Sequence, residues 1–228
     1  TSADCKKATS EMEFSKWDSD NSLPTSGSYY LTKNVTLSAG QPITGDVTLC
    51  LNGYKIEAAS SVTVNGTLTI TDCVGSGSIV GVDKKQTGVN IQSHTGTLNL
   101  YSGTIKNFEK GVVNNGTFNM YGGTITENKA ATGGGVYVGD NAAVTISGGT
   151  ITNNEATSDG GGMTVGNCQV TLSGTVTIAD NKSTDGKGSN LYIKGGQSVT
   201  IDSSSFASTS KVVFKDRDDK YNGTDYIT

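Results

Sequence analysis

The sequence predicts an all-β solenoid. Three observations predict it: a short β-like triplet that recurs along the chain, an alternation of apolar and polar residues with a period of two, and a high glycine content. Glycine accounts for 31 of the 228 residues, about twice its usual share in proteins. Because these glycines stand between short apolar alternations, they indicate tight corners rather than disorder.

The recurring triplet ends in a β-branched apolar residue. Its isoleucines are separated by 26, 20 and 26 residues, and its valine follows 25 residues later. A repeat this short and this variable is one turn of a solenoid, too small to fold alone and stacked on its neighbours. The five copies are Gly77-Ser78-Ile79, Gly103-Thr104-Ile105, Gly123-Thr124-Ile125, Gly149-Thr150-Ile151 and Gly174-Thr175-Val176.

Aligning the chain on this triplet yields three columns of strands, each read as apolar, polar, apolar. Inward side chains should therefore stack in apolar ladders, and the rule for parallel crossovers makes the solenoid right-handed. The prediction is a single-stranded right-handed parallel β-helix with three strands per coil and an N-terminal cap. The first column begins at Val62, Val89, Val112, Val136, Met163 and Leu191, the second at Leu68, Leu98, Phe118, Val144, Val170 and Val199, and the third contains the triplets.

The predicted domain organisation has three parts. Residues 1–40, with the only tryptophan, Trp17, form the N-terminal cap, because an open end of a β-helix exposes a cut core and unpaired strand edges. Residues 41–215 form the β-helix, of about six to seven coils. Within these parts, 47–56 is read as one irregular coil and 29–37 as a further strand or part of the cap. Residues 216–228 are a C-terminal tail or a truncated continuation.

Charge and hydropathy narrow the classes of partner. The net charge is −4, and the only arginine is Arg217, whereas nucleic acids select clustered Lys and Arg side chains. No apolar run approaches the ~20 residues of a membrane-spanning helix. We therefore expect neither nucleic-acid binding nor membrane insertion. We also expect that this chain is a fragment of a longer multidomain protein.

Several segments of the predicted coils resemble a known superfamily. The chain resembles the pectin-lyase-like parallel β-helix proteins and, more narrowly, the glycine- and threonine-rich β-helix regions of secreted or wall-attached proteins of anaerobic gut bacteria. The resemblance implies an extracellular, secreted or cell-wall-attached, adhesin-like module. It is carried by Leu23-Pro24-Thr25-Ser26-Gly27, Tyr29-Tyr30-Leu31-Thr32, Leu49-Cys50-Leu51-Asn52-Gly53-Tyr54, Leu68-Thr69-Ile70-Thr71-Asp72-Cys73 and the run from Ser147 to Asn154.

The motifs of polysaccharide-active enzymes on this fold provide a test of catalysis. The resemblance implies, for polygalacturonate hydrolases, Asn-Thr-Asp, Asp-Asp, Gly-His-Gly and Arg-Ile-Lys runs, and for lyases a calcium ion and an arginine. The repeat body carries none of these runs and no arginine, and the only histidine, His94, stands in a predicted corner loop. We expect no enzyme activity; a lyase or hydrolase remains the alternative.

The acidic residues do not form an obvious catalytic pair. Asp72 and Asp180 lie about four coils apart, roughly 20 Å at the spacing of parallel strands, whereas glycoside hydrolysis needs carboxylates within about 10 Å. Asp180 and Asp185 stand beside Asn and Gly, as turn residues do. The cluster Asp216, Asp218 and Asp219 is the one candidate for Ca²⁺, but it lacks the glycine and the distal glutamate of a calcium loop. We favour a solvated tail and no cofactor.

The four cysteines lack zinc-site spacing. If Leu49 and Ile70 stack, Cys50 and Cys73 fall at the same corner of neighbouring coils, within the roughly 4.4–6.8 Å Cα separation of a disulfide. A Cys50–Cys73 disulfide is therefore predicted. Cys5 and Cys168 have no evident partners.

Binding by a solenoid depends on its outward rows. Tyr101 and Tyr121 should be neighbours, beside Asn99 and Asn119 in the adjacent row, and exposed aromatics beside polar donors suit sugar rings. Stabilisation of the ladder itself is the competing interpretation. The rows are Thr69, Asn99, Asn119, Thr145, Thr171 and Thr200, and Thr71, Tyr101, Tyr121, Ser147, Ser173 and Asp202.

A third set of aligned residues, Asn128, Asn154 and Asn181, is typical of a structural asparagine ladder at a corner. The leading functional hypothesis is a non-catalytic extracellular β-helix module, adhesin-like or a spacer, that contacts host or dietary glycans or a surface protein. A polysaccharide-active enzyme on the same fold is the first alternative. An ice-binding solenoid is the second, although Asn, Tyr and Lys106 interrupt its threonine rows.

Overall fold

The computed structural model describes residues 13–17, 19, 22–40, 42–185, 188–194 and 198–212. Within this part of the chain all regular structure is β-strand and every strand pairing is parallel. The all-β class and the parallel, solenoid-like arrangement are confirmed, and they are compatible with a β-helix. The strands are β1 Ser15–Trp17, β2 Gly27–Leu31, β3 Val35–Leu37, β4 Asp46–Cys50, β5 Lys55–Ala58, β6 Val62–Val64, β7 Thr67–Thr71, β8 Ser78–Gly81, β9 Thr87–Ile91, β10 Thr97–Leu100, β11 Thr104–Lys106, β12 Lys110–Asn114, β13 Thr117–Met120, β14 Thr124–Thr126, β15 Lys129–Ala130, β16 Val136–Val138, β17 Ala143–Thr152, β18 Glu155–Ala156, β19 Met163–Val165, β20 Gln169–Ile178, β21 Lys182–Ser183, β22 Leu191–Ile193, β23 Val199–Ile201 and β24 Lys211–Val212.

The first column forms a six-stranded sheet in the order β22-β19-β16-β12-β9-β6. Its predicted first residues pair with one another at every step, from Val62 with Val89 to Met163 with Leu191. One inward position departs from the apolar pattern. It is occupied by Asn114, which is polar and fully buried. Its side chain accepts a bond from Gly116 N at 3.0 Å and donates to Ala143 O at 2.9 Å.

The second and third columns belong to one fifteen-stranded sheet. They are joined because β17 and β20, of ten residues each, run through both columns. Both columns also begin earlier in the chain than expected. β2 pairs with β4, which pairs with β7 of the second column, and β3 pairs with β5, which pairs with β8 of the third column. Residues 27–37 and 46–58 therefore continue the ladders, and 47–56 is a regular part of them rather than an irregular coil.

The fifth triplet is aligned differently from the prediction. Ile151 pairs with Ile178, and Val176 stands opposite Gly149. The cause is a β-bulge, since β20 accommodates one more residue than β17 between the two paired stretches. Gly174, with a φ of +60°, lies at this bulge, and the carbonyl oxygen of Ser147 occupies the place of any Cβ there. Val176 is nevertheless buried.

A third, small sheet was not predicted. It consists of β15, β18 and β21, two residues each. Lys129 Nζ lies 3.0 Å from Glu155 Oε1, and Glu155 is paired with Lys182 on the next strand. The hydrogen bond from Lys129 lowers the pKa of the Glu155 carboxyl below its usual value.

The core lies between the sheets and follows the predicted inward positions. The four isoleucines of the triplets are buried, as are Leu68, Leu98, Phe118, Val144 and Val170 of the second column. Trp17 on β1 is also buried and joins this core. Residues 1–12 and 213–228, which include the whole of the predicted tail and part of the predicted cap, lie outside the described residues.

The predicted asparagine ladder is confirmed and is longer than expected. Asn128 donates to Asn154 Oδ1 at 2.9 Å, Asn154 to Asn181 Oδ1 at 3.0 Å, and Asn181 to Asn190 Oδ1 at 3.1 Å. At the other end Phe108 N donates to Asn128 Oδ1 at 2.9 Å. Each ladder asparagine but Asn190 follows a residue with positive φ, which turns the chain out of the third column.

Candidate functional site

The exposed aromatic pair predicted on the second column is present. Tyr101 directly follows β10 and Tyr121 directly follows β13, and these strands pair in register. The two rings are stacked with centroids 4.5 Å apart and planes 20° from parallel. Their side chains stay accessible, since Tyr101 is 50% and Tyr121 is 43% exposed. The pair is therefore a surface feature and not an extension of the core.

A row of hydrogen-bonded polar side chains lies beside the rings. Asn119 Nδ2 donates to Asn99 Oδ1 at 2.9 Å, and Asn99 Nδ2 donates to Thr69 Oγ1 at 3.3 Å. Bonds in one direction along the row hold each amide in a single orientation. Each amide nitrogen has a second N–H that these bonds do not use. Thr69, Asn99, Asn119, Tyr101 and Tyr121 are called the tyrosine face below.

The accessible side chains on the strands that carry the tyrosine face are uncharged. On β7, β10, β13 and the first halves of β17 and β20, side chains alternate between buried and accessible positions. The accessible ones, including those just after each strand, are Thr, Asn, Tyr, Ala, Ser and Gln, with no charged residue among them. This face can offer aromatic surface and neutral hydrogen-bonding groups, which are the partners of a sugar ring.

One apolar residue near this corner escaped the sequence reasoning. Val74 is 56% exposed and lies three residues beyond the end of β7, whereas Tyr101 and Tyr121 directly follow β10 and β13. Of the four large hydrophobic side chains that are exposed in the described residues, three thus stand in the turns after second-column strands. The sequence feature that indicates it is an apolar residue between Cys73 and Gly75, in a predicted turn where polar residues are usual.

Two of the three carboxylates considered for catalysis, Asp72 and Asp180, have structural partners. Asp72 is buried and its two oxygens accept bonds from Gly53 N and Gly77 N, each at 2.7 Å. Asp180 has a φ of +57° and lies 3.7 Å from Lys211 Nζ. Asp185 is exposed in a turn, and His94 is exposed in a turn after β9. Asp72 therefore holds a corner together, and Asp180 turns the chain.

Metal ligation finds no geometric support in the described ranges. No group of three or more His, Cys, Asp or Glu side chains there is arranged to hold a metal ion. The calcium candidates Asp216, Asp218 and Asp219 lie outside the described residues.

The structure brings together the two cysteines that were predicted to pair. Cys50 ends β4, Cys73 follows β7, and their Sγ atoms lie 2.9 Å apart. This proximity is compatible with the predicted disulfide, which stays a prediction. Cys168 is a buried free thiol, and burial together with the charge of Asp140 raises its pKa to about 11. Cys5 lies outside the described residues.

A count of reactive thiols tests the predicted Cys50–Cys73 disulfide. In the Cys5→Ser variant three cysteines remain, and we expect one reactive thiol per chain after unfolding without reductant and three after reduction. In the folded variant at pH 8 the single thiol should react slowly, because Cys168 is buried and little of it is thiolate. Three reactive thiols without reductant would show that Cys50 and Cys73 do not form a disulfide.

No helix in the described part of the chain is long and apolar enough to cross a membrane. Comparison with protein-family profiles, curated proteins and solved structures finds no match to this chain.

Proposed function

We propose that this chain is a non-catalytic extracellular module of a bacterial cell-surface or secreted protein, and that it contacts glycans through the tyrosine face. Its architecture in this proposal is a right-handed parallel β-helix with three strands per coil and an N-terminal cap. The long parallel ladders and the buried asparagine ladder support a rigid body, which suits an adhesin-like or spacer role.

The observation that carries the proposal is the stacked, half-exposed tyrosine pair beside an oriented amide row. A tyrosine ring left in water exposes apolar surface that a sugar's C–H face can cover. The amides next to it are already held in place, so little side-chain entropy is lost when they bind hydroxyl groups. Ladder stabilisation and glycan contact are compatible here, because the stacking uses one face of each ring.

The alternative is a polysaccharide-active enzyme on the same fold. Asp72, the carboxylate that directly follows β7, is buried and bonded to two backbone N–H groups. A catalytic acid or base must instead reach the substrate. The two proposals differ in one observable, since an enzyme shortens or cleaves a bound polysaccharide and a binding module leaves it intact.

A glycan array with the purified chain tests the proposal. We expect selective binding, and we expect the double variant Tyr101→Ala, Tyr121→Ala to bind at least about tenfold more weakly, roughly 1.4 kcal/mol. Tyr137→Ala is the matched control, because Tyr137 is an outward, partly exposed tyrosine on the first column. Equal losses in the control and the double variant, or no binding to any glycan, would refute glycan contact at this face.

A further inference from the structure

The two rings of the tyrosine pair differ in the residues that come next to them along the row. Because Tyr101 and Tyr121 stack on each other, each ring keeps a single face free for another partner. The strand register decides what lies beyond each one, since the row continues in both directions along the solenoid. The residues in question directly follow the paired residues Ile70, Leu100, Met120, Ile146 and Leu172.

On the Tyr101 side the row has one accessible member, Thr71, before it reaches a buried position. Its next members are Thr71 and then Cys50, which pair with each other, and Cys50 is fully buried. Cys73 approaches Cys50 there, and the turn that follows it carries the exposed Val74. A branched threonine therefore lies next to Tyr101, and the accessible row ends one strand beyond it.

On the Tyr121 side the row is open. The next two members are Ser147 and Ser173, which have the shortest polar side chains, and both are partly exposed. A serine hydroxyl ends close to the backbone, so it cannot cover the ring of a neighbouring tyrosine. The outer face of Tyr121 therefore stands beside two strand positions without a large side chain, which together span about 10 Å.

The groups around this open ring face are polar and neutral. Asn119 and Thr145 lie on the adjacent row, and Ser147 and Ser173 form the floor. The first charge along the row is Asp202, whose carboxylate accepts bonds from Ser204 and Ser205 at 2.6–3.1 Å. A ring that carries hydroxyl groups can hydrogen-bond to these side chains, whereas a carboxylate on the ligand would be repelled by the negative charge of Asp202.

We propose that a neutral pyranose ring of a polysaccharide stacks on the outer face of Tyr121, above Ser147 and Ser173, as the third member of the tyrosine stack. This inference rests on the proposed glycan binding and adds to it the ring face and the charge class of the ligand. Tyr121 contacts the sugar. Tyr101 is a positioning residue, because it stacks on the opposite face of the Tyr121 ring and holds that ring in place.

Two variants that extend the stack at opposite ends test the proposal. Ser147→Tyr places a ring on the sugar's position, so it should reduce affinity at least about tenfold while the melting temperature stays the same or rises, since the aromatic stack is longer. Thr71→Tyr lengthens the stack at its other end and should leave affinity within about twofold. Tyr121→Ala should reduce affinity at least about tenfold, and Tyr101→Ala only a few-fold.

The affinities are measured by calorimetry on the full chain, with hexamers of β-1,4-linked glucose, mannose and xylose as neutral probes and hexagalacturonate as the acidic probe. Binding of at least one neutral probe, with these four effects, supports the proposal. Neutral binding that Ser147→Tyr leaves intact or that Thr71→Tyr removes overturns the assigned ring face, and tighter binding of hexagalacturonate overturns the charge class. Either of these two results overturns the inference and leaves the proposed function standing. If the chain binds neither these probes nor any glycan of the array, the inference and the proposed function are both overturned. If Ser147→Tyr does not fold, the single alanine variants decide: equal losses at Tyr101 and Tyr121 overturn the inference.

Discussion

Replacing Asn154 by alanine is expected to lower the free energy of unfolding by about 4 kcal/mol. The side chain is buried and donates to Ile125 O, Thr152 O and Asn181 Oδ1 at 2.9–3.0 Å. Its Oδ1 accepts from the backbone and side-chain nitrogens of Asn128 at 3.1 and 2.9 Å. Alanine leaves several of these groups buried without a partner, and each such group costs about 1–3 kcal/mol.

Urea unfolding followed by circular dichroism measures this loss. The matched control is Asn119→Ala, which removes an amide from the accessible ladder of the tyrosine face, where water replaces the lost partner. We expect the control to cost less than about 1 kcal/mol. Equal losses in the two variants would show that the buried ladder contributes no more than the surface one.

Replacing Phe118 by alanine should lower the free energy of unfolding by about 3–5 kcal/mol, the usual cost of emptying a buried aromatic site. Phe118 is fully buried, and its strand neighbours in register are Leu98 and Val144. Because these neighbours are held by ladders on both sides, the surrounding chain cannot collapse into the cavity. Thermal unfolding and urea unfolding should agree on the loss.

Tyr121→Ala is the control for this prediction, since it removes an aromatic ring just beyond the end of the same strand. The ring is half-exposed, and its stacking on Tyr101 contributes about 1 kcal/mol. We therefore expect a stability loss of about 1 kcal/mol and a large loss of glycan affinity. A loss above about 3 kcal/mol would indicate that Tyr121 is part of the folded core's support rather than a binding residue.

Much of the strand register was predictable because of the period of two. A shift by one residue would turn every inward side chain outward, so the apolar pattern of Val62, Leu68 and Ile79 and their repeats left a single alignment for most strands. The neighbouring positions of Tyr101 and Tyr121 follow from the same register, as does the proximity of Cys50 and Cys73. These parts of the candidate site depend on local pattern alone.

Other features depend on contacts that the repeat does not encode. Val176 and Ile178 are both apolar and two residues apart, so the alternation along the strand is compatible with either of them as the partner of Ile151. The β-bulge shifts the register, and Ile178 is the partner. Asn190 joins the asparagine ladder from only nine residues beyond Asn181, outside the spacing of the other members. Val74 is apolar and yet exposed, because it lies in the bend after β7 and not on a strand.

By itself the sequence determined the all-β class, the direction of most side chains and the pairs of residues that meet in the second column. These properties follow from alternation along a strand, which each short segment carries. Only the tertiary structure decided that the two tyrosine rings stack, that the amides beside them form one bonded row, and that Asp72 bonds to two backbone N–H groups. The reason is physical: these contacts join residues from separate strands and turns, and their geometry depends on how successive repeats stack.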